Sequence, residues 1–456
     1  MFVTVCLGLI MVGISATSIS VAFPVMSSSF QASTILSGWV LSIYQLVSIA
    51  AMPLAGKASD IFGRKPIFIG SLLLFSLGSV LCAIAPNIQT LIACRFLQGI
   101  GGGAYFPVAT GIVADSFPQR RQQLIGLTSS IYPIGQIIGP NLGGWMVTTL
   151  GWRSVFWFNV PAGIAIVLLS VYFLKAGIKT KGSIDLRGAG LLTGAVLAIL
   201  TGVSELGHFK TGASVAEWFL TGILFLTGFI LLYVLISHIS RAKDPIIDWV
   251  VLKGRPFLAS NVYNFIAGTY YFGILSFVPL YAVKIFGMST LKSGIVLTPW
   301  AVGVMISAGI TSFFLLRWGY RKPLLVGNSL VIVGLFLLGM EPQALNLLGI
   351  HLDSTGLLIV LTFLVGVGVG TVFPAANNAC IELMPEHVAS ITGVRTMFRN
   401  IGGTFIITII SLILNNASSL AQGFKISFFF ICGLTILVFP AILNMPRGAQ
   451  ECVEVK

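Results

Sequence analysis

The sequence predicts an all-α membrane protein with fourteen transmembrane helices, arranged as two six-helix halves with two helices inserted between them. Composition, a series of apolar runs and an internal repeat support this fold class. Of the 456 residues, 56% are hydrophobic and 9% are charged, and the mean hydropathy is +0.99. A soluble protein contains roughly 45–50% apolar residues, and its surface carries enough charge to stay dispersed. A lipid bilayer removes that need, so we expect it to surround the chain.

The transmembrane spans are runs of about 20 apolar residues, the length that crosses the hydrocarbon core of a bilayer. The loops between them are short, and none is long enough for a soluble domain. The runs are 3–25, 37–56, 66–85, 88–114, 124–149, 153–175, 185–206, 217–238, 257–286, 291–316, 323–341, 354–381, 388–414 and 424–445.

Lysine and arginine are unevenly distributed over the two sides of the predicted bundle. With both termini inside, most of the 26 cations lie in inner loops. The cations of the outer loops are Arg153, Lys210, Lys284, Lys292 and Lys425. Because cytoplasmic loops carry an excess of Lys and Arg, we expect both termini to be cytoplasmic. Short loops and minimal tails favour a prokaryotic cytoplasmic (inner) membrane.

An internal repeat relates the fourth span to the twelfth. The segments 98–107 and 365–374 share three glycines at alternate positions and a Phe-Pro pair. The first is followed by Asp115 and the second by Glu382. Gly126 and Gly135 match Gly393 and Gly402 at the same offset. Parallel repeats are one plan of membrane transporters. We therefore expect an N-terminal half over 1–182, two inserted helices over 183–240 and a C-terminal half over 241–456.

Several function classes are excluded by what the sequence lacks. The cations form no basic domain, which argues against nucleic-acid binding. The six cysteines show no paired or metal-like spacing, so we expect neither a metal nor a disulfide framework. The glycine-rich run after Gln98 lacks the Lys-Ser/Thr of a nucleotide-binding loop. We find no nucleophile–base pair, and we expect neither an enzyme nor a cofactor.

Several separate motifs resemble those of the major facilitator superfamily, and the fourteen-helix drug:proton antiporter branch in particular. The segment Gly56–Lys65 resembles the signature loop between the second and third helices, and Arg95, Gln98, Gly99 and Gly101 resemble the fourth-helix motif. The run 135–144 resembles the fifth-helix antiporter motif, and 152–161 resembles the sixth helix of this branch. The resemblance covers essentially the whole chain.

The charged segment Gly56–Lys65 is interpreted as a conformational latch. The resemblance implies that Asp115 pairs with its arginine. Glu382 with Arg399 or Arg317 would form a weaker latch in the second half, where Leu316 replaces the aspartate. The alternative is an ordinary cytoplasmic loop with positive charges. The latch candidates are Gly56, Asp60, Gly63, Arg64, Lys65, Asp115, Glu382 and Arg399.

Two further groups within the spans are interpreted as coupling and gating residues. Arg95 is costly at its depth in a bilayer, so we expect it in a cavity with Gln98; the alternative is an arginine that snorkels to the surface. The glycines of the fifth helix permit close packing, and a proline bends the helix, which suits a gate; the alternative is packing alone. The gate candidates are Gly135, Gly139, Pro140, Gly143 and Gly144.

Polar and aromatic residues within the spans are candidates for a substrate cavity. Such groups bind amphipathic molecules by stacking and hydrogen bonding, although each is also a common packing or lipid-facing residue. They are Tyr44, Gln45, Phe106, Tyr132, Trp157, Asn159, Tyr263, Asn264, Tyr270, Trp300, Asn377 and Asn378.

The chain departs from the branch at the expected proton carrier. Ser15 stands where the branch usually has an acid, in the run from Ser15 to Pro24. Glu205 is the one acid near the membrane boundary of an inserted span; it is a coupling candidate, with an interfacial Glu beside His208 as the alternative. Proton antiport is therefore implied by the resemblance alone.

Three functions remain open. The first is a proton-driven exporter of lipophilic, often cationic, small molecules. The second is a lipid or metabolite exporter or an uncoupled facilitator, which suits the missing acid. The third is a non-transporting membrane receptor. The expected partners are a lipophilic small molecule, protons and the bilayer, with no nucleic acid. The chain is expected to be monomeric, with scope for accessory export proteins.

Overall fold

The computed structural model describes residues 1–32, 34–175, 182–208, 214–245, 249–288, 296–341, 345–347, 350–446 and 448. Lys210 and Lys292 of the predicted outer loops lie outside these residues, so the predicted orientation stays a prediction. The described residues form long helices and one short hairpin.

The first half of the chain forms nine helices within the described residues. Most coincide with predicted spans, but the predicted span 153–175 is divided at Phe158 into two helices. The helices are α1 (Phe2–Ser29), α2 (Thr34–Phe62), α3 (Arg64–Ala83), α4 (Ile88–Ser116), α5 (Arg121–Leu150), α6 (Ser154–Trp157), α7 (Asn159–Phe173), α8 (Leu186–His208) and α9 (Val215–Ile239).

The second half of the described chain continues in the same manner. The last predicted span is divided between two helices at Leu437. The helices are α10 (Trp249–Lys253), α11 (Arg255–Phe286), α12 (Leu297–Trp318), α13 (Arg321–Gly339), α14 (Ser354–Ile381), α15 (Val388–Asn416), α16 (Leu420–Ile436) and α17 (Val438–Leu443).

Two predictions about the elements need correction. The strands β1 (Leu345–Leu347) and β2 (Ile350–Leu352) form an antiparallel hairpin between α13 and α14, which an all-helical prediction misses. Gly56–Phe62 is also not a loop, because α2 continues through it. An ion pair between Asp60 and Arg64, four residues apart, holds together the point where α2 meets α3.

Twelve spans of the described chain are long and apolar enough to cross a membrane. Two further long helices, α4 and α5, are not among them. Their glycines, glutamines and other polar residues lower the hydropathy. The described chain is therefore a helical membrane fold with one small hairpin, and the fourteen-span count remains a prediction.

The helices group into two compact units. Unit 1 contains the described residues of Met1–Leu197, Leu235–Asp248 and Met384–Met397. Unit 2 contains those of Ala198–Val234, Trp249–Leu383 and Phe398–Lys456. Unit 1 pairs α1 with α5 and packs α4 against α2 and α3, and unit 2 packs α14 against α12 and α13. The beginning of α15 thus belongs to unit 1, although it comes late in the sequence.

Candidate functional site

The corner between α2 and α3 is a single residue, Gly63. Its φ of 102° lies in the region that favours glycine. The backbone nitrogen of Gly63 donates to the Ser59 carbonyl at 3.1 Å, which closes the last turn of α2. The corner therefore places Arg64 at the start of α3, facing the acid of the preceding turn.

Arg64 is the centre of a buried charge cluster in unit 1. Its Nη1 donates to the Asp60 carboxylate and to Ser59 Oγ, the latter at 3.1 Å. Its Nε donates to Asp115 Oδ2 at 3.0 Å. Arg64 is 3% exposed and Asp60 is fully buried. Breaking a buried pair by removing one partner leaves a buried charge uncompensated, so each member of the cluster depends on the others.

Asp60 also binds the beginning of α15, a contact across 330 positions of the chain. Its Oδ2 accepts from the backbone nitrogen of Ser390 at 3.0 Å and from the Ser390 hydroxyl. Ser390 lies in the first turn of α15, where helix N–H groups lack partners in the helix and the helix dipole attracts negative charge. One carboxylate thus joins the ends of α2, α3 and α15.

Glycines bring these helices close enough for that contact. A side chain at Gly56 would collide with the Ala389 carbonyl, and one at Gly393 would collide with the Met52 carbonyl. On the other side of the cluster, a Cβ at Gly111 of α4 would lie 2.8 Å from Arg64 Nε. The glycines therefore leave the space in which α15 and the Arg64 guanidinium lie.

Lys65 lies apart from this cluster. Its Nζ donates to the Val171 carbonyl at 2.7 Å, near the end of α7. Its charge therefore interacts with a helix C-terminus, where cations are favoured. Of the predicted latch residues in unit 1, Gly56, Asp60, Gly63, Arg64 and Asp115 come together, and Lys65 does not.

Unit 2 contains a weaker counterpart of the cluster. Tyr320 occupies the place of Arg64 in the repeat, and its hydroxyl donates to Glu382 Oε1 at 3.3 Å. Gly319, before it, has a φ of 69°, as Gly63 has positive φ. At this position of the repeat the donor is a neutral hydroxyl instead of a guanidinium, and sequence reasoning missed Tyr320 as a partner of Glu382. Arg399 packs against aromatic rings, with its Cζ 5.7 Å from the Tyr271 ring centroid and 5.5 Å from that of Phe373.

The repeat extends to the contacts that the glycines make. In unit 1, Gly99 approaches the Tyr44 carbonyl and Gly103 that of Ser48; in unit 2, Gly366 approaches the Trp300 carbonyl and Gly370 that of Val304. The glycines of unit 2 lie at one constant sequence offset from those of unit 1. The residues whose carbonyls they approach lie at a second constant offset. The two units thus use equivalent positions for equivalent helix contacts.

Arg95 lies inside unit 1 and is 1% exposed. Its Nε donates to the Val40 carbonyl at 3.1 Å and its Nη1 to Gln98 Oε1 at 2.6 Å. Gln98 in turn donates to Ser79 Oγ at 2.7 Å. The Arg95 Cζ is 4.0 Å from the Tyr44 ring centroid, within the range of a cation–π interaction. Arg95 therefore fixes α2, α3 and α4 together and does not extend to an exposed surface.

The glycines of α5 form a seam with α1. Side chains at Gly135 and Gly139 would collide with Ile10 and Thr17, respectively. Ser18 Oγ donates across the seam to the Gly139 carbonyl at 2.8 Å. Gly143 lies against Ser18, whereas Gly144 has only Val21, at 3.9 Å, and Pro140 is exposed. Three of the five gate candidates therefore belong to this seam.

The cavity candidates of unit 1 differ in their surroundings. Tyr44 and Phe106 are buried, Gln45 and Tyr132 are half-buried, and Trp157 is 46% exposed. Asn159 is buried and donates to Ser15 Oγ at 3.0 Å, so the serine at the expected acid position joins α1 to α7. Glu205 is half-buried near the end of α8, in unit 2.

All six cavity candidates of unit 2 are buried. The hydroxyl of Tyr263 accepts from Asn328 Nδ2 at 3.1 Å. Asn264 donates to the Ser260 carbonyl at 2.6 Å, and Asn378 donates to the Pro374 carbonyl at 2.9 Å, each bond within its own helix. The other three are Tyr270, Trp300 and Asn377.

Sequence reasoning missed Ser390, Gly111 and Tyr320. Ser390 gives no local signal, because its role depends on a contact far along the chain. Gly111 lies within the glycine-rich fourth span, one turn before Asp115, and this spacing was a usable signal. Tyr320 occupied the place of Arg64 in the recognised repeat, and that alignment was a signal for it.

Comparison with known proteins places the chain in a family. The family described as the Major Facilitator Superfamily matches residues 5–407. The multidrug transporter protein MdtP of Bacillus subtilis is 32% identical over 387 residues, which cover 83% of this chain and 69% of that protein. The multidrug resistance protein B homolog of Mycobacterium tuberculosis is 30% identical over 428 residues, which cover 92% and 77%, respectively.

Solved structures of low sequence identity share the fold. The human organic anion transporter MFSD10 superposes with a TM-score of 0.69 at 16% identity. The superposition covers 97% of this chain and 98% of the MFSD10 chain. The proton:xylose symporter XylE gives a TM-score of 0.67 at 14% identity and covers 97% and 94%. At these identities the similarity concerns the fold alone.

Proposed function

Because the chain belongs to the major facilitator superfamily and is a transporter rather than an enzyme, we propose that it exports lipophilic or amphipathic small molecules by alternating access. The relatives named for multidrug transport or resistance support the substrate class. We also propose the finer assignment to the fourteen-helix drug:proton antiporter branch, with halves over 1–182 and 241–456 and inserted helices between them.

The contact between Asp60 and the first turn of α15 carries the proposal of alternating access. A fully buried carboxylate that binds Arg64 and a distant helix N-terminus costs several kilocalories per mole to desolvate. A transporter that changes conformation uses a contact of this kind because it forms in one state and breaks in another. We propose that the cluster of Asp60, Arg64, Asp115 and Ser390 is this latch, and that Tyr320 with Glu382 is its weaker counterpart.

The arrangement around α5 supports a gate. The seam between α1 and α5 is closed by glycines and by the Ser18 hydrogen bond. Two helices at such close approach leave no path for a solute between them. We propose that this seam prevents leakage through unit 1 while the transporter changes state, and that the cavity candidates of each unit are its substrate-contact residues.

We propose proton antiport as the coupling mechanism, and the first-helix position of Ser15 favours an alternative to it. Ser15 holds Asn159 where the branch usually has an acid, and this observation favours uncoupled transport or a lipid or metabolite substrate. Glu205 is the candidate carrier for proton coupling. We further propose a monomer in a prokaryotic inner membrane, with cytoplasmic termini.

Reconstitution in proteoliposomes tests the proposal. We expect a lipophilic dye to move when a pH gradient is imposed, and an internal pH probe to report proton flux that depends on the dye. Glu205→Gln abolishes that proton flux if Glu205 is the carrier. Dye movement without proton flux would support the uncoupled alternative, and movement of no small molecule would contradict export.

A further inference from the structure

The charges inside the described membrane-spanning helices are predominantly positive. Arg95, Arg395 and Arg399 are each at most 7% exposed. Arg399 is eleven residues from the beginning of α15, about 16 Å along the axis at a rise of 1.5 Å per residue. In contrast, each acid of these helices lies within one turn of a helix end. These acids are Asp60, Asp115, Glu205 and Glu217.

This distribution of charge favours an anionic solute over a cationic one. Charges separated by a low-dielectric interior interact far more strongly than they do in water. A cation that enters a pathway whose fixed interior charges are arginines is repelled, whereas an anion is attracted. The interior acids available to balance a cationic solute lie only at the helix ends of the described chain.

In unit 2, Arg399 lies against a group of aromatic rings. Its guanidinium lies over the rings of Tyr271 and Phe373, whose centroids are 5.4 Å apart. The Trp300 ring is 5.5 Å from Tyr271. Trp300 is fully buried, and its Nε1–H has no acceptor among the described residues. A guanidinium and an indole N–H are both donors, and a carboxylate or sulfonate accepts from both.

We propose that the exported molecule is an amphipathic anion, an aromatic carboxylate or sulfonate, whose acidic group binds Arg399 and Trp300 and whose apolar part contacts Tyr271 and Phe373. This inference rests on the proposed export function and names its substrate class. Arginine binds a carboxylate through two parallel N–H groups, and the aromatic rings provide flat apolar area.

An anionic substrate also suits the uncoupled alternative, in which no acid is needed at the position of Ser15. Export of an anion moves negative charge outward, which an inside-negative membrane potential drives. A potential of about 100 mV changes the equilibrium concentration ratio of a singly charged solute by about fiftyfold. Ser15 in the place of an acid is then compatible with export, because in the uncoupled alternative the potential supplies the driving force.

The experiment compares two xanthene dyes of opposite charge, fluorescein and rhodamine 6G, in proteoliposomes. Potassium gradients and valinomycin set the membrane potential while the pH is equal on both sides. We expect fluorescein to be transported, its rate to follow the sign of the potential, and rhodamine 6G not to be transported. Arg399→Gln is expected to lower the fluorescein rate by at least about tenfold, the effect of 1.4 kcal/mol.

Controls separate binding from folding. Arg255→Gln removes an exposed arginine of the same unit and is expected to leave the rate unchanged. Trp300→Phe keeps an aromatic ring, smaller than the indole, and removes the N–H. It is expected to weaken fluorescein binding, measured by fluorescence polarisation on protein with an unchanged melting temperature. Transport of rhodamine 6G alone would overturn the anion inference and leave export intact. Transport of neither dye nor any other lipophilic compound would overturn both.

Discussion

Asp60 Oδ2 accepts a hydrogen bond from the backbone nitrogen of Ser390 at 3.0 Å, although 330 positions separate the two residues. The same carboxylate binds Arg64, which binds Asp115 at 3.0 Å. A single buried acid therefore connects a one-residue corner between two helices to the N-terminus of a third. The proposed latch, and with it the proposed alternating access, depends on this connection.

Asp60→Asn removes the charge and leaves a side chain of the same shape. Charge-assisted hydrogen bonds contribute about 1.5–3 kcal/mol, so we expect a transport rate at least about tenfold lower in protein that still inserts and folds. The measurement is dye transport in proteoliposomes. Asp353→Asn is the matched control, because Asp353 caps α14 at an exposed site and asparagine caps equally well. Equal rates in both variants would contradict the latch.

Gly139→Ala and Gly144→Ala separate the seam between α1 and α5 from the motif that contains it. A Cβ at Gly139 collides with Thr17, whereas one at Gly144 meets only Val21 at 3.9 Å. Overpacking costs about 1–3 kcal/mol, so we expect Gly139→Ala to lower the melting temperature and make the liposomes leak a trapped dye. Gly144→Ala should change neither. Similar effects of both substitutions would mean that the motif does not act through this seam.

Arg95→Met keeps the length of the side chain and removes its donors. The Val40 carbonyl and Gln98 Oε1 then lose a buried partner, which costs about 1–3 kcal/mol for each unsatisfied group. We expect a clear loss of thermal stability together with slower transport. Lys425→Met removes an exposed cation and serves as the control. A melting temperature equal to that of the control would remove Arg95 from the structural core of unit 1.

Tyr320→Phe tests the counterpart in unit 2. The change removes one neutral hydrogen bond to Glu382, which contributes about 0.5–1.5 kcal/mol. We expect transport to fall by about threefold, less than for Arg64→Gln, because Arg64 makes two ion pairs. The two variants are compared in one dye assay. A larger effect of Tyr320→Phe would reverse the assignment of the stronger latch to unit 1.

The membrane fold was readable from the sequence because apolar length is a direct signal. Even where hydropathy is low, as in α4 and α5, the helices formed as expected. The β1–β2 hairpin was missed, since short strands between spans have no such signal. The end of α2 was misplaced by several residues, because Asp60 and Arg64 pair within the continuing helix and the charges alone suggested a loop.

The candidate site was partly readable for the same reason. Gly63, Arg64 and Asp115 were found through motif and repeat, and they lie together. Ser390 could not be found, because its carboxylate partner is brought to it by the packing of distant helices. Arginine partners for Glu382 were predicted because an acid suggests a cation, and that pairing stays a prediction. The hydrogen bond from Tyr320 to Glu382 was missed, because a tyrosine has a weaker signature in sequence.

Hydrogen–deuterium exchange at the Ser390 amide tests the central claim most directly, measured on the same reconstituted protein as transport. We expect this amide to be protected at rest and to exchange faster while a transported dye is present. In Asp60→Asn it is expected to be unprotected even without dye, whereas in Asp353→Asn it stays protected. Protection that is unaffected by both the dye and Asp60→Asn, with transport unchanged, would contradict the claim that this contact opens and closes during export.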